Sequence, residues 1–442
     1  MRALTSTAIA VLILLLTRVI GVVRDILISA TYGLTKVTDL FFQTTFFPTY
    51  ILNIYNGPFS TAFVASLNHQ PKSHRPFYVL RYRRISVLTG LALSIIYFSG
   101  SILVAYLNGR ISPHEILLTC AILTPSCVAM AILGYGVSVA NAFGLVTRAV
   151  TLLTVSNVIF VAGVILIWFG GRPNEIWFLQ LTFTVSSTAA AGFAWVSINQ
   201  IVARLPNSTA SYTAPNVAFA ALPGFRRALG LALAESSAFI VTQLAVLVMA
   251  SHEGVGWASA ATLAQRICFT ALSLVIMPIS SKATIAVIND RKAPHKLFGV
   301  IVMAVFVAFS GGACVLVLLG PWVINWAAGT EKISYTAANQ IAQLIPPFAV
   351  WMVAMALNGM ISRLLFGLKL GGMYVTTTIV AYIIANGVRA LANIRFDFPV
   401  AIALGAFVEL VVVVILSGYA FMVLHRKAAS EKNETKPGYG VP

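Results

Sequence analysis

The chain has 442 residues, of which 59% are hydrophobic and only 9% are charged, and its formal net charge at pH 7 is +17. Soluble domains carry about 25% charged residues, so this composition excludes an ordinary water-soluble protein. Within a bilayer every backbone polar group needs an internal partner, which leaves helices or a closed barrel. The apolar stretches are continuous runs of about 20 residues, not ~10-residue alternating strands, so they indicate transmembrane helices.

The first apolar run could be mistaken for a cleaved secretory signal because it follows Met1-Arg2. It continues through Arg18 and Arg24 without a clear cleavage site, so we interpret it as the first spanning helix. Hydropathy and helix breakers predict about twelve spans. They are expected near 7–30, 38–67, 85–107, 116–142, 148–169, 176–200, 228–250, 256–287, 297–320, 340–367, 373–393 and 399–424.

One connecting segment divides these spans into six plus six. It is rich in Pro, Asn and Ser and ends in Arg226-Arg227, as is typical of a linker. The predicted organisation is an N-lobe at 1–202, a cytoplasmic linker at 203–227, a C-lobe at 228–425 and a disordered tail at 426–442. Because each half has an even number of spans, the halves are candidates for parallel repeats.

Basic residues concentrate in alternate connections between the predicted spans. An excess of Lys and Arg marks cytoplasmic loops, so we expect both termini in the cytoplasm. Contact with anionic lipid headgroups accounts for the positive charge without nucleic acid. The clusters that carry this pattern are Lys72, Arg75, Arg81, Arg83 and Arg84, then Arg204, Arg226 and Arg227, then Lys282, Arg291, Lys292 and Lys296.

The sequence contains no recognisable catalytic or metal-binding arrangement. Its four cysteines lie inside apolar runs, its six histidines lie in loops or at helix ends, and no phosphate-binding glycine loop or nucleophile elbow occurs. We therefore expect no enzyme, no metal site and no cofactor.

The first span carries the strongest functional pattern. At about 100° per residue, Arg18, Gly21, Arg24 and Asp25 share one side of the helix with its hydroxyl residues. An arginine at the centre of a span costs ~2.5–3.5 kcal/mol, so exposure of this side to lipid is disfavoured. We expect it to line a polar cavity.

The second span also has its polar residues, Asp39 and Asn53 among them, on one side of the helix. Pro48 predicts a bend within this span. The alternative to a cavity is a set of buried ion pairs that fix helix packing, joining Arg18 or Arg24 to Asp25 or Asp39. Further ionisable residues within predicted spans are Arg266, Glu235 and Glu409. Such residues are functional candidates, and the two acids are alternatively neutral core carboxyls.

Several short motifs occur in a fixed order near the N-terminus: Thr17–Asp25, Tyr32–Gly33, Thr38–Phe42, Pro48 and Gly57–Val64. This ordered set resembles the MurJ/MviN family of lipid II flippases, in the multidrug/oligosaccharidyl-lipid/polysaccharide (MOP) exporter superfamily. A weaker match lies at Ala264-Gln265-Arg266 and Met277-Pro278, and Asn141 and Asn157 also fall where family members carry asparagine.

The resemblance implies a fold and two sets of site residues. The fold would be a V-shaped bundle of two six-helix lobes around a central cavity that binds a pyrophosphate-sugar headgroup. The implied substrate-binding residues are Arg18, Arg24, Asp39 and Arg266, to which the polar side of the second span adds Asn53 as a candidate. The implied cation-coupling residues, in the C-lobe, are Glu235, Asn386 and Glu409.

The sequence departs from the family in two respects. The basic pair of the family's second helix is replaced around Leu52-Asn53, and twelve spans are expected where the peptidoglycan flippases usually have fourteen. These departures leave lipid II and a polysaccharide repeat unit both open as the glycan carried.

We therefore expect a flippase for a polyprenyl-pyrophosphate-linked glycan in the bacterial inner membrane, driven by membrane potential, Na⁺ or H⁺. Its expected partners are membrane lipids and proteins of cell-wall or polysaccharide synthesis. Two alternatives are a cation-coupled multidrug antiporter of the same superfamily and a non-transporting scaffold. Centrally placed arginines argue against both, since a drug antiporter needs acids in its cavity and a scaffold needs no buried charge.

Overall fold

The computed structural model describes residues 16–434 apart from 18–19, 22, 26, 29–30, 69, 108–112, 171–175, 206–224, 270–293, 329–334 and 368–370. The regular elements of this described part are all helical. In chain order they are α1, seen in parts between 16 and 32; α2 Lys36–Ile54; a π-helical turn Tyr55–Phe59; α3 Ser60–Asn68; α4 Arg75–Leu107; α5 Pro113–Ala142; α6 Val146–Phe169; α7 Ile176–Ala203; α8 Phe225–Glu253; α9, described over 257–269; α10 Pro294–Ala328; α11 Tyr335–Gly367; α12 Gly371–Arg395; and α13 Phe398–Glu434.

These helices lie on the predicted spans, and α2, the π turn and α3 together form the second one. Within the described ranges, 8 helices are long and apolar enough to cross a membrane. Their long apolar exposed faces, such as Leu318 at 75% and Leu166 at 72% exposure, would be unfavourable in water and are suited to lipid. The predicted all-helical, multi-pass membrane fold is confirmed.

The chain divides into two compact units, Met1–Ser236 and Ser237–Pro442. The division falls inside α8, so the beginning of this helix packs with the first unit. Most of the predicted linker, 206–224, lies outside the described residues, as does part of the predicted tail. The V-shaped cavity between lobes stays a prediction.

In the first unit, α5 is the central helix and packs against α2, α3, α4, α6 and α7. Two glycines allow this close packing. A Cβ at Gly134 would lie 2.5 Å from the Cβ of Tyr55, and one at Gly136 would lie 2.7 Å from that of Ala194. The hydroxyl of Ser138 then donates to the carbonyl of Tyr55 at 2.7 Å, which fixes α5 against the π turn.

The second span departs from α-helical geometry at the π turn, not at Pro48, through which α2 continues. Pro58 has no N–H to donate, so the regular pattern cannot pass through it unchanged. An aromatic cluster surrounds the turn. Phe225, at the start of α8, packs against Phe59 at 5.5 Å and Tyr82 at 5.0 Å between ring centroids, which ties the end of the linker to the first unit.

In the second unit, α11 is the buried helix. The apolar stretch of α11 is 78% buried, compared with 17% for that of α10, which packs against α11. α11 also packs against α12 and α13, and the side chain at its centre, Trp351, is 0% exposed. This arrangement places the middle of α11 beside the polar residues of α12 and α13.

Candidate functional site

Arg24 on α1 is held by α6. Its Nε–H donates to Asp25 Oδ1 at 2.9 Å, and its NH1 donates to Asn157 Oδ1 at 3.0 Å. The guanidinium carbon lies 5.6 Å from the ring centroid of Phe160, also on α6. These two bonds use two of the five guanidinium donors, and the side chain keeps 20% exposure, so the group retains donors for an anion.

Thr17, on the same side of α1, contacts α6 as well. Asp25 is only 2% exposed, and the hydroxyls of Thr17 and Thr154 are hydrogen-bonded to each other. The predicted alternative of an ion pair between Arg24 and Asp25 is therefore present in the structure. The pair and the remaining exposure of Arg24 coexist, since the Asp25 side chain is 3% exposed and that of Arg24 is 20% exposed.

Of the other predicted substrate residues, the structure describes Asp39, Asn53 and Arg266. Arg18 lies outside the described residues. Asp39 is buried in the first turn of α2, Asn53 is exposed near its end, and Arg266 is half-buried on α9 in the second unit. Convergence of Arg18, Arg24 and Arg266 on one cavity stays a prediction.

A second polar site lies wholly in the second unit, and it contains two of the three predicted coupling residues. Arg389 NH2 pairs with Glu409 Oε1 at 2.7 Å, and Arg389 NH1 donates to Asn386 Oδ1 at 3.1 Å. The Asn386 amide in turn donates to the Thr242 hydroxyl on α8 at 2.9 Å. Arg389 is 0% exposed and Glu409 is 3% exposed, so both charges are removed from solvent.

Trp351 of α11 completes this network. Its indole N–H donates to Glu409 Oε2 at 2.7 Å, and the Arg389 guanidinium carbon lies 4.7 Å from the centroid of its ring. Aromatic rings from α8 and α9 pack around Trp351, with centroid distances of 6.4 Å to Phe239 and 5.5 Å to Phe269. The ion pair is thus fixed where five helices, α8, α9, α11, α12 and α13, come together.

Comparisons with known proteins bear on the fold. No protein-family model matches the chain, and no curated protein sequence matches it either. Among solved structures, the lipid II flippase MurJ in an inward closed conformation has a TM-score of 0.70 and 16% identity, covering 95% of this chain and 90% of that one. An inward-facing multidrug resistance MATE transporter of the MOP superfamily has a TM-score of 0.72 and 12% identity, covering 95% and 96%. This chain has the MOP fold.

A third similar structure is a MOP superfamily transporter from Pyrococcus furiosus, described as having a binding pocket of reverse polarity. Its TM-score is 0.72 at 11% identity, with coverage of 97% of this chain and 96% of that one. The MOP fold therefore carries pockets of different polarity. The MOP-type helical fold that the sequence resemblance implies is confirmed.

Glu235, the third residue predicted to couple transport to a cation, is half-buried on α8. It precedes Thr242, the α8 residue that joins the Asn386 network. Sequence reasoning identified Asn386 and Glu409 but missed Arg389, which joins them. Arg389 lies six residues before the end of α12, and Gly405 lies seven residues after the start of α13, one turn before Glu409.

Gly405 makes room for the arginine. A Cβ at this position would collide with the Cγ and Nε of Arg389, so any larger residue would displace the side chain. A small cavity beside the pair is lined by Asn358, Thr378, Tyr382 and Glu409. The Thr378 hydroxyl is buried there without a hydrogen-bond partner, and Asn358 accepts from Tyr374 at 2.6 Å.

Proposed function

We propose that this protein is a flippase that moves a polyprenyl-pyrophosphate-linked glycan across the bacterial inner membrane by alternating access. The observation that carries the proposal is the geometry of Arg24, which is oriented by Asp25 and Asn157 yet retains exposed donors. A guanidinium is the group best suited to a pyrophosphate, which it can bind through two parallel charge-assisted hydrogen bonds. The lipid tail would remain in the bilayer while the headgroup crosses.

A multidrug antiporter is the competing function, since MATE transporters share the fold equally well. A carrier of lipophilic cations needs accessible carboxylates. Asp25 and Asp39 are both buried, and Asp25 is already paired with Arg24. The charge balance of the first unit therefore favours an anionic substrate.

The deciding experiment compares two probes in proteoliposomes containing the full chain. One is a fluorescent polyprenyl-pyrophosphate-linked sugar, whose movement is followed by quenching from outside; the other is ethidium, a lipophilic cation. We expect movement of the first, competed by inorganic pyrophosphate, and none of the second. Transport of ethidium alone would overturn the proposal in favour of the antiporter.

The glycan is either lipid II or a polysaccharide repeat unit, and partners from cell-wall or polysaccharide synthesis would supply it. Both termini would lie in the cytoplasm, where the basic clusters meet anionic lipids. Membrane potential would favour outward movement of the anionic headgroup, with Na⁺ or H⁺ as further sources of energy.

Coupling gives a separate prediction. Glu235→Gln should abolish transport against a gradient and leave headgroup binding intact, because glutamine keeps the size of the side chain but carries no charge that an ion could neutralise. The measurement is uphill transport across a range of pH and sodium concentration. The matched control is Glu253→Gln, an exposed acid at the end of the same helix. Normal transport by Glu235→Gln under all conditions would make Glu235 a structural residue.

A further inference from the structure

The ion pair of Arg389 and Glu409 is unusual because neither charge reaches solvent. Desolvating two charges is costly, and a buried ion pair is often no more stabilising than apolar residues of the same volume. Ionisable side chains within membrane spans are for the same reason functional candidates. Stability alone therefore gives a weak reason for keeping Arg389 at 0% exposure in the centre of the second unit.

The oxygens around Arg389 form a set that would otherwise suit a small cation. Glu409 on α13 supplies a carboxylate and Asn386 on α12 an amide carbonyl, while the Thr242 hydroxyl on α8 holds the Asn386 amide in place by accepting from its nitrogen. Hard monovalent and divalent cations take such oxygen ligands. In this chain the carboxylate Oε1 and the amide Oδ1 are both occupied by guanidinium nitrogens, at 2.7 Å and 3.1 Å.

The charge count leads to the same conclusion. The guanidinium neutralises the Glu409 carboxylate, and the indole N–H of Trp351 occupies its second oxygen. An added sodium ion would give the site a net positive charge next to a fixed cation, in surroundings where repulsion is poorly screened. The adjoining cavity, which Thr378 and Tyr382 help to line, has a volume of about 10 Å³ and is too small for a hydrated ion.

We infer that Arg389 is a tethered cation that permanently fills this oxygen site, so that the site carries its own counterion and takes no alkali cation from solution. Removal of the guanidinium would convert the site into one for a soluble monovalent cation, guanidinium itself first and Na⁺ or K⁺ second. The inference rests on the proposed function only in its consequence for transport, which would not depend on Na⁺ binding at Glu409.

Thermal unfolding of the purified full chain in detergent tests this directly. Chloride salts of Na⁺, K⁺, guanidinium and N-methylglucamine are compared at millimolar concentration and constant ionic strength. A ligand that binds only the folded state raises the Tm. We expect the wild type to give the same Tm in all four salts, and Arg389→Ala to unfold several degrees lower and to regain part of the loss in guanidinium.

Two further variants locate the effect. Arg389→Ala/Glu409→Gln should lose the response to guanidinium, because the carboxylate that would bind it is gone. Arg395→Ala, which removes an exposed arginine at the end of the same helix, should behave as the wild type. Arg389→Lys keeps a tethered cation and should remain insensitive to the choice of salt.

The inference is overturned if Na⁺ raises the Tm of the wild type and Glu409→Gln abolishes that rise. It is also overturned if folded Arg389→Ala responds equally to guanidinium and N-methylglucamine. Should the alanine variant fail to accumulate, the wild type and Arg389→Lys still decide the question. Since no substrate is used, these outcomes are independent of whether the protein flips a lipid-linked glycan.

Discussion

Arg389→Met and Glu409→Leu should each destabilise the protein by about 3–5 kcal/mol, whereas the double variant should cost far less than the sum of the two. Either single substitution leaves a desolvated charge without its counterion among Trp351 and the surrounding rings. The double variant removes both charges and keeps roughly the same volume. The measurement is a double-mutant cycle of unfolding free energies in mixed micelles.

Arg395→Met is the matched control for this cycle, since Arg395 is exposed on the same helix. It should change the free energy of unfolding by less than about 0.5 kcal/mol. Additive losses in the cycle would mean that the two charges do not interact across α12 and α13. In that case the hydrogen bonds of Asn386 and Trp351, not the ion pair, would hold α8, α11, α12 and α13 together.

The helices could be predicted from the sequence because their lengths and apolar runs are local properties. The polar side of α1 was predicted for the same reason, since helical periodicity alone places Arg24 and Asp25 together. Which helix this side contacts depends on packing between distant segments, and no local pattern predicts that Asn157 and Phe160 contact Arg24.

Local rules also missed one irregularity and one residue. The π turn lies at Tyr55–Phe59, where Gly134 and Ser138 bring α5 against the backbone, and the bend predicted at Pro48 stays a prediction. Arg389 lies near the end of a predicted span and reads as a flanking charge. Its burial depends on the space opposite Gly405, which only the packing of α12 on α13 creates.

Arg24 is expected to account for a large part of headgroup affinity. A hydrogen bond to a charged group contributes about 1.5–3 kcal/mol, so its loss should weaken binding by roughly 10- to 100-fold. Arg24→Ala should therefore abolish measurable flipping, and Arg24→Lys should retain part of it, because an ammonium keeps the charge but cannot form two parallel bonds. Binding is measured with the fluorescent pyrophosphate-linked lipid and competed with inorganic pyrophosphate.

A second variant is compared with Arg24→Ala, because that substitution leaves the buried Asp25 carboxylate without its cation. Arg24→Gln/Asp25→Asn removes both charges together and should fold as the wild type while showing the same roughly 10- to 100-fold weaker binding of the headgroup. Asn157→Ala takes away the acceptor for NH1 and should weaken binding less than loss of the guanidinium, since it disturbs orientation alone. Arg84→Ala, an exposed arginine on α4, should bind normally. Wild-type affinity in folded Arg24→Gln/Asp25→Asn would show that Arg24 serves packing against α6, and the headgroup would then have to be bound by other residues.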